Sequence, residues 1–479
     1  MKIGLLGIIL VACKVSAHPL LEQHFHSLIQ QYIPNACVGL IIQDLNSGKI
    51  LYEHQSKDNF YPASNTKLFT AAAALKFFGP NFQYQTSIHA PLEKMKNGVL
   101  EDNLTIIFRG DPSLTIEDID SLAKQLKETG LNHIKGNVIV DDRSFDAMPY
   151  APGWTSDSLA WYYSAPITTI ILNENKIRLK VNKPKALNEL LKIEQSDQSL
   201  PPLKIQSVVK AVSFEDSEKN CTLNATVKNN EITLTGCWAI EKTPTTLEFA
   251  LDNPKLIAKA AILQALKKVN ITLNGQVVFS AAQPEIPVIL IKRSLPLKTL
   301  LIKVLQDSNN IYTESMTKAL GLATFGQGSF QKGTQAIQEI LTRESPLEFS
   351  QTRLSDGSGQ SRYNLISPLL ISKLLYQMRE DPNFVDYYNA LSVSGTNGTL
   401  ANRMKTKSLT GKIVAKTGSA IGTSTLSGYF TGNSNRSYLF SLMINQSTND
   451  NSLKIFEDKL CEVLVTEPWL TPITAGQTQ

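Results

Sequence analysis

Long blocks of like charge are absent: no five or six consecutive acidic or basic residues occur in the 479, and the net charge is a mild +5. That leaves no electrostatic footprint for nucleic-acid binding. Long apolar runs are also missing. Beyond the N-terminus no segment approaches the roughly 18 apolar residues of a membrane span, so the mature chain is expected to be soluble or peripheral to a membrane. Histidine is scarce: there are six, none after His133, which argues against a Ser-His-Asp triad involving the later part of the chain. No repeat or low-complexity tract stands out. The length exceeds what one core supports, so two or three domains are expected.

The N-terminus is what export requires. Lys2 precedes an apolar run from Ile3 to Ala12, and Val15-Ser16-Ala17 follows before His18. This pattern is that of a secretory signal over residues 1–17. Leu10-Val11-Ala12-Cys13 also resembles a bacterial lipobox, and its short hydrophobic region leaves a lipid anchor on Cys13 open. Four cysteines remain after the leader. Cys221 and Cys237 bracket two strand-like runs joined by Lys228-Asn229-Asn230, a hairpin that would bring the two thiols within disulfide reach in an oxidising compartment. Cys37 and Cys461 lie in apolar contexts, as two buried thiols or as a second bridge.

Three short segments carry chemistry. In Tyr61-Pro62-Ala63-Ser64-Asn65-Thr66-Lys67, an alanine-rich run follows and stops at Gly79-Pro80, which sets Ser64 and Lys67 near a helix start, on one face. A hydroxyl and a buried amine so placed make a nucleophile and its base. Ser308-Asn309-Asn310 breaks two helical runs, Leu297–Gln306 and Ile311–Leu320, and presents a hydroxyl and a carboxamide to one cleft. Lys416-Thr417-Gly418-Ser419 ends a β-branched strand that pairs with Thr423–Thr431, placing an ammonium, a hydroxyl and backbone N–H groups along one rim. A glycine-rich loop, Asp356–Arg362, is not a nucleophile elbow, because Asp356 stands where that motif requires glycine.

Each segment is common alone. Ser-x-x-Lys, Ser-x-Asn and Lys-Thr-Gly in this order resemble the penicillin-recognising serine acyl-enzymes, the penicillin-binding proteins and serine β-lactamases. Ser308 follows Ser64 by 244 positions, far more than a plain β-lactamase uses. The chain is therefore similar to the low-molecular-mass class C penicillin-binding proteins, the D-alanyl-D-alanine carboxypeptidase/endopeptidase family. The likeness extends through Gly136–Asp141, Ala151–Trp154, Tyr163-Ser164-Ala165-Pro166, Leu234–Cys237 and the Asp356–Arg362 loop.

That resemblance implies acyl transfer onto Ser64, with Lys67 as general base, Ser308 and Lys416 in proton relay, and Asn310 on the substrate amide. Thr417 and Lys416 would hold a terminal carboxylate, and the N–H groups of Ser64 and Ser419 beside Gly418 would form the oxyanion hole. It implies peptidoglycan stem peptides as substrate, β-lactams as covalent inhibitors, a bacterial periplasm or cell envelope, and no metal or organic cofactor. Tyr163, Arg362 and Asp157 complete the expected substrate side. Two departures bear on specificity. The family's acidic residue before the Tyr-Ser-Ala-Pro stretch falls on Ser158, with Asp157 adjacent, and Ile421 stands where some relatives have a polar residue. The rivals are a serine β-lactamase and a non-catalytic cell-wall-binding protein.

The expected architecture is α/β (α+β). A transpeptidase-like domain, residues 18–83 and 287–479, has an antiparallel sheet flanked by helices and closed by both terminal segments. An inserted second domain, 84–181 and 244–286, carries a nested β-rich domain at 182–243.

Overall fold

The computed structural model describes residues 19–282, 286–344 and 347–467; the expected leader and Cys13 lie outside the described residues. Six antiparallel strands form the main sheet, in the order Ser392–Val393, Ile413–Ala420, Thr423–Thr431, Ser437–Asn445, Cys37–Asp44, Ile50–His54. The N-terminal strand thus zips onto the last strand, Cys37 opposite Asn445. The central strands are buried on both faces, and their pleat divides the apolar residues between two cores. Leu439 and Met443 point into one, while Phe440, Leu442 and Ile444 point into the other.

The second of these cores is covered by Pro19–Tyr32 and Asp450–Thr466, through Leu21, Phe25, Phe456, Leu460 and Leu464. The first is covered by Lys67–Phe78, Leu297–Leu305, Asn310–Phe325, Phe330–Glu344 and Pro368–Arg379. In Lys67–Phe78 every residue from Lys67 to Leu75 is buried. A helix enclosed all round suits small side chains, which is why Ala71 to Ala74 stand there.

The intervening chain leaves and returns side by side. Gln85–His89 pairs antiparallel with Val288–Arg293, the edge of a five-stranded sheet completed by Leu104–Ile107, Val138–Asp141 and Val277–Phe279. Helices Ile116–Glu128 and Pro254–Lys268 pack against each other beside it. A second group of strands joins Lys176–Val181 to Ile193–Gln195 and Thr245–Ala250, and Glu231–Ala239 to Ile205–Ser207, Lys210–Val212 and Leu223–Lys228.

Sheet pairing redraws two expectations. The division at 181/182 runs through one sheet, since Ile193 pairs with Val181, and one apolar core runs from Ile88 through Leu234. Val288–Arg293 pairs with Gln85–His89 in the five-stranded sheet and not with the main sheet expected from residue 287. The run Ile271–Phe279 forms two short strands, Thr272–Leu273 and Val277–Phe279, in different sheets. It breaks at Gly275, where a Cβ would stand 2.3 Å from the Gly136 carbonyl oxygen.

Cys221 and Cys237 are disulfide-bonded, with Cα atoms 5.5 Å apart. Cys461 is a buried free thiol, whereas Cys37 is free and exposed, which corrects its reading as buried or bridged; its thiol faces Gln446 Oε1 at 3.3 Å. Among the described residues no helix is long and apolar enough to cross a membrane.

The bridge spans 16 positions, a loop whose closure is worth about 3 kcal/mol in the chain-entropy description. Replacing Cys221 and Cys237 together by serine should accelerate amide exchange in Ile205–Ala239 and leave the Ile413–Asn445 strands unchanged. Equal acceleration in both regions, or none in either, would contradict this local role.

Candidate active site

Ser64 sits one step short of the expected α-helix, in a 3-10 turn, Ala63–Thr66, that runs into Lys67–Phe78. Ala63 takes a left-handed φ of 44°, an uncommon conformation for a residue with a Cβ. The turn is held from behind by the sheet: Thr425 Oγ1 donates to the Pro62 carbonyl at 3.0 Å and Asn65 Nδ2 to Ser427 Oγ at 2.8 Å. Asn445 Oδ1 accepts from the Tyr61 N–H at 2.8 Å. In front, the glycine-rich loop lies so close that a Cβ on Gly359 would be 1.7 Å from the Ala63 carbonyl oxygen. Only glycine fits there.

Lys67 lies one turn on and is 0% exposed. Its Nζ contacts three oxygens: Ser64 Oγ at 2.9 Å, Asn310 Oδ1 at 2.6 Å and the Ser358 carbonyl at 2.8 Å. Burial brings its pKa down to about 7, against the opposing pull of Asp356 and Glu314. The three partners define what either protonation state can do. As an ammonium, Lys67 donates to all three. As a neutral amine it has two N–H bonds and one lone pair. Asn310 Oδ1 and the Ser358 carbonyl can only accept, so both N–H bonds go to them and the lone pair is left for Ser64, whose hydroxyl can donate. The neutral state is an oriented base.

A second hydroxyl–lysine pair faces it. Ser308, also at left-handed φ (58°), accepts from Lys416 Nζ at 2.9 Å, and the same nitrogen donates to the Thr417 carbonyl at 2.8 Å. Lys416 is likewise 0% exposed; burial pushes its pKa well down, and the nearby Lys67 and Lys454 charges push the same way. On the strand, Lys416 stands opposite Ser427 and Gly418 opposite Thr425. A Cβ on Gly418 would come 2.9 Å from the Ser64 nitrogen, so the rim abuts the Ser64 N–H. Ser419 is exposed next to it. Thr417 Oγ1 donates to Thr399 Oγ1 at 2.7 Å.

Asn310 joins this centre to the inserted segment. Its Nδ2 donates to the Tyr163 carbonyl at 2.8 Å and to Gln360 Oε1 at 2.7 Å. Gln360 Nε2 in turn donates to Ser164 Oγ, and to Ser158 Oγ at 3.4 Å. Tyr163 therefore enters the network through its backbone, while its ring is exposed. Arg362 stacks over the Tyr61 ring, 4.7 Å from the centroid.

Asp157 is the outlier of the expected set. It is exposed, its carboxyl is held low by Thr155 first and by the Arg362 charge last, and no hydrogen bond links it to the centre. Ile421 is 80% exposed at the strand turn. Sequence reasoning did not single out Glu314, Gln360 and Thr399. Glu314 had a signal, a carboxylate one helical turn after Asn310 on the same face.

Comparison with known proteins identifies the family. The profile of the D-Ala-D-Ala carboxypeptidase 3 (S13) family matches residues 21–465. The chain is 28% identical over 450 residues to the D-alanyl-D-alanine carboxypeptidase DacB of Haemophilus influenzae, covering 93% of each. It is 29% identical over 414 residues to a D-alanyl-D-alanine carboxypeptidase of Actinomadura sp., covering 84% of this chain and 76% of that one. The crystal structure of penicillin-binding protein 4 from H. influenzae superposes with a TM-score of 0.84 at 28% identity, over 92% of this chain and 99% of that one. The same protein complexed with a β-lactam gives 0.79 at 26% identity, with the same coverage. With the match running from the first helix to the last, the chain belongs to the D-Ala-D-Ala carboxypeptidase 3 (S13) family.

Proposed function

We propose that this protein is a serine-type D-Ala-D-Ala carboxypeptidase and DD-endopeptidase of the bacterial cell envelope, acting on peptidoglycan stem peptides through an acyl-enzyme on Ser64. The observation that carries the reading is the buried Lys67 amine held between two obligate acceptors and the Ser64 hydroxyl. Family membership and the β-lactam complex of the H. influenzae relative support it.

In the proposed reaction Ser64 Oγ attacks the carbonyl of the penultimate D-alanine as its proton passes to Lys67. The carbonyl oxygen becomes an oxyanion held by the N–H groups of Ser64 and Ser419. Collapse breaks the C–N bond, and the proton reaches the leaving amine by way of Ser308, which Lys416 orients. Water then attacks the ester, Ser64 regains its proton, and the shortened stem leaves. The same acylation serves a terminal D-alanine or a cross-link, so both activities come from one centre. A β-lactam carbonyl enters the same path, but its amine stays tethered to the acyl group.

Lys416 and Thr417 take the substrate's terminal carboxylate. A carboxylate beside a buried amine favours the ammonium, so the bound substrate would oppose the downward push that burial exerts on the Lys416 pKa. Export places the chain in the periplasm or at the envelope surface. Asp157 is the candidate contact for a charged stem side chain, since Ser158 carries no charge.

Two measurements test this. Ser64→Ala should abolish labelling by a fluorescent penicillin while far-UV dichroism and melting temperature stay at wild-type values; label retained on the variant would remove Ser64 from the mechanism. The pH profile tests Lys67. Its neutral fraction rises with pH through a pKa of about 7, from about 10% at pH 6 to about 90% at pH 8. The acylation rate should therefore climb roughly ninefold over that interval and level off above it. A rate falling with pH, or flat from 6 to 8, would show that a neutral Lys67 is not the base.

A further inference from the structure

Directly behind Lys67 stands a carboxylate that the proposed reaction does not use. Glu314 is 0% exposed, one turn along the helix from Asn310. Both its oxygens face the glycine-rich loop: Gly357 N–H donates to Oε1 and Oε2, each at 3.1 Å, and Ser358 N–H donates to Oε1 at 2.7 Å. The loop segment that donates these bonds is also held from the other side. Thr70 Oγ1 donates to the Gly357 carbonyl at 2.8 Å, and the Ser358 carbonyl is one of the two acceptors that orient Lys67. The loop is pressed so closely onto this helix that a Cβ on Gly357 would stand 1.9 Å from Thr317 Oγ1.

A buried carboxyl is an expensive way to satisfy two N–H groups. Burial together with Asp356 pushes the Glu314 pKa up, against the N–H bonds from the loop. Packing alone would be served by an apolar side chain with the loop's N–H groups turned elsewhere. What a carboxyl adds is grip on both N–H groups at once, which fixes the direction of the carbonyl that follows.

The geometry points to Glu314 as a positioning residue for acyl transfer: by gripping the Gly357 and Ser358 N–H groups, it aims the Ser358 carbonyl at Lys67 and so turns the amine's lone pair toward Ser64. This rests on the acyl-enzyme reading above. Asn310 and Glu314, on one helix, then set the two acceptors of Lys67, one directly and one through the loop. Glu314 touches neither substrate nor reacting atom, so its loss should slow bond formation and leave recognition intact.

The test is stopped-flow acylation of the full mature chain by a fluorescent penicillin, separating the Kd of the initial complex from the acylation rate. Glu314→Ala leaves two buried N–H groups without an acceptor and frees the Ser358 carbonyl to drift. Misplacement on the scale of 1 Å costs on the order of 100-fold in rate, so the rate should fall by about that factor while Kd stays within about twofold. Glu314→Gln keeps one oxygen for Ser358 and should recover about tenfold of the loss. A folded Glu314→Ala protein with wild-type acylation, or a loss appearing in Kd instead of rate, would overturn the assignment. If the alanine variant does not fold, glutamine decides alone: about a tenfold slower rate at an unchanged melting temperature is expected, and an unchanged rate overturns it. A wild-type chain that takes no label at all would fail the acyl-enzyme reading itself, whereas a labelled wild type with unaffected variants fails only the role of Glu314.

Discussion

The centre depends on keeping one amine, that of Lys67, out of water. In solution a lysine is an ammonium and no base at neutral pH; enclosed between the Ser64 turn, the Ser308–Asn310 turn and the glycine-rich loop, it loses hydration and its pKa falls to about 7. Its partners come from far along the chain, 243 residues away for Asn310 and 291 for Ser358. No local propensity assembles such a cradle. It exists only when the helices over the sheet are packed, so the lowered pKa of Lys67 is itself a product of tertiary structure.

The long separation is bridged at little structural cost because the insertion is closed at its neck. Leu297 N–H donates to the Phe82 carbonyl at 2.8 Å, and Ser294 Oγ accepts from the Tyr84 N–H at 2.9 Å. Helix Lys67–Phe78 and helix Leu297–Leu305 therefore meet in space as though consecutive. The insertion is also a wall of the cleft. Trp154 Nε1 donates to Asp356 Oδ2 at 2.8 Å, and the Pro152 carbonyl accepts from Ser361 Oγ at 2.6 Å, tying the insertion to the loop that carries Ser358 and Gln360.

Much of this was legible in the sequence. The Ser64–Lys67, Ser308–Asn310 and Lys416–Ser419 segments could be set in local structure from propensity, turn chemistry and alternation, and their order pointed to a family. Helix Ile116–Glu128 has a strong helical pattern, with Ile116, Ile119, Leu122, Ala123 and Leu126 on its buried face, and ends close to where that pattern ends, while strand Thr423–Thr431 falls on the expected residues. What could not be read was burial. Nothing in the sequence shows that Glu314 and Asp356 are fully enclosed; the loop N–H groups that bond to their oxygens are supplied only by tertiary structure. Gln360 is equally anonymous until Asn310, Ser158 and Ser164 surround it. Ser64 falls in a 3-10 turn and not in the α-helix, since the loop and the sheet grip that turn from opposite sides and their contacts override an α-helical propensity differing by tenths of a kcal/mol per residue.

The same opposition explains where the backbone is strained. Ala63 and Ser308 both adopt left-handed φ values, and each adjoins or carries a hydroxyl that meets a buried lysine. Such conformations persist only where surrounding contacts over-determine them. At Ala63 they are the Thr425 and Asn65 hydrogen bonds behind and Gly359 in front. At Ser308 they are the Lys416 contact on one side and the Asn309 N–H to the Lys303 carbonyl, at 2.9 Å, on the other. Relaxing Ala63 or Ser308 into the right-handed region would swing the Ser64 or the Ser308 hydroxyl, respectively, away from the lysine it meets. The two turns are therefore held in geometries that the sheet and helices impose, and in the proposed reaction the reactivity of both hydroxyls would follow from the rigidity of the scaffold around them.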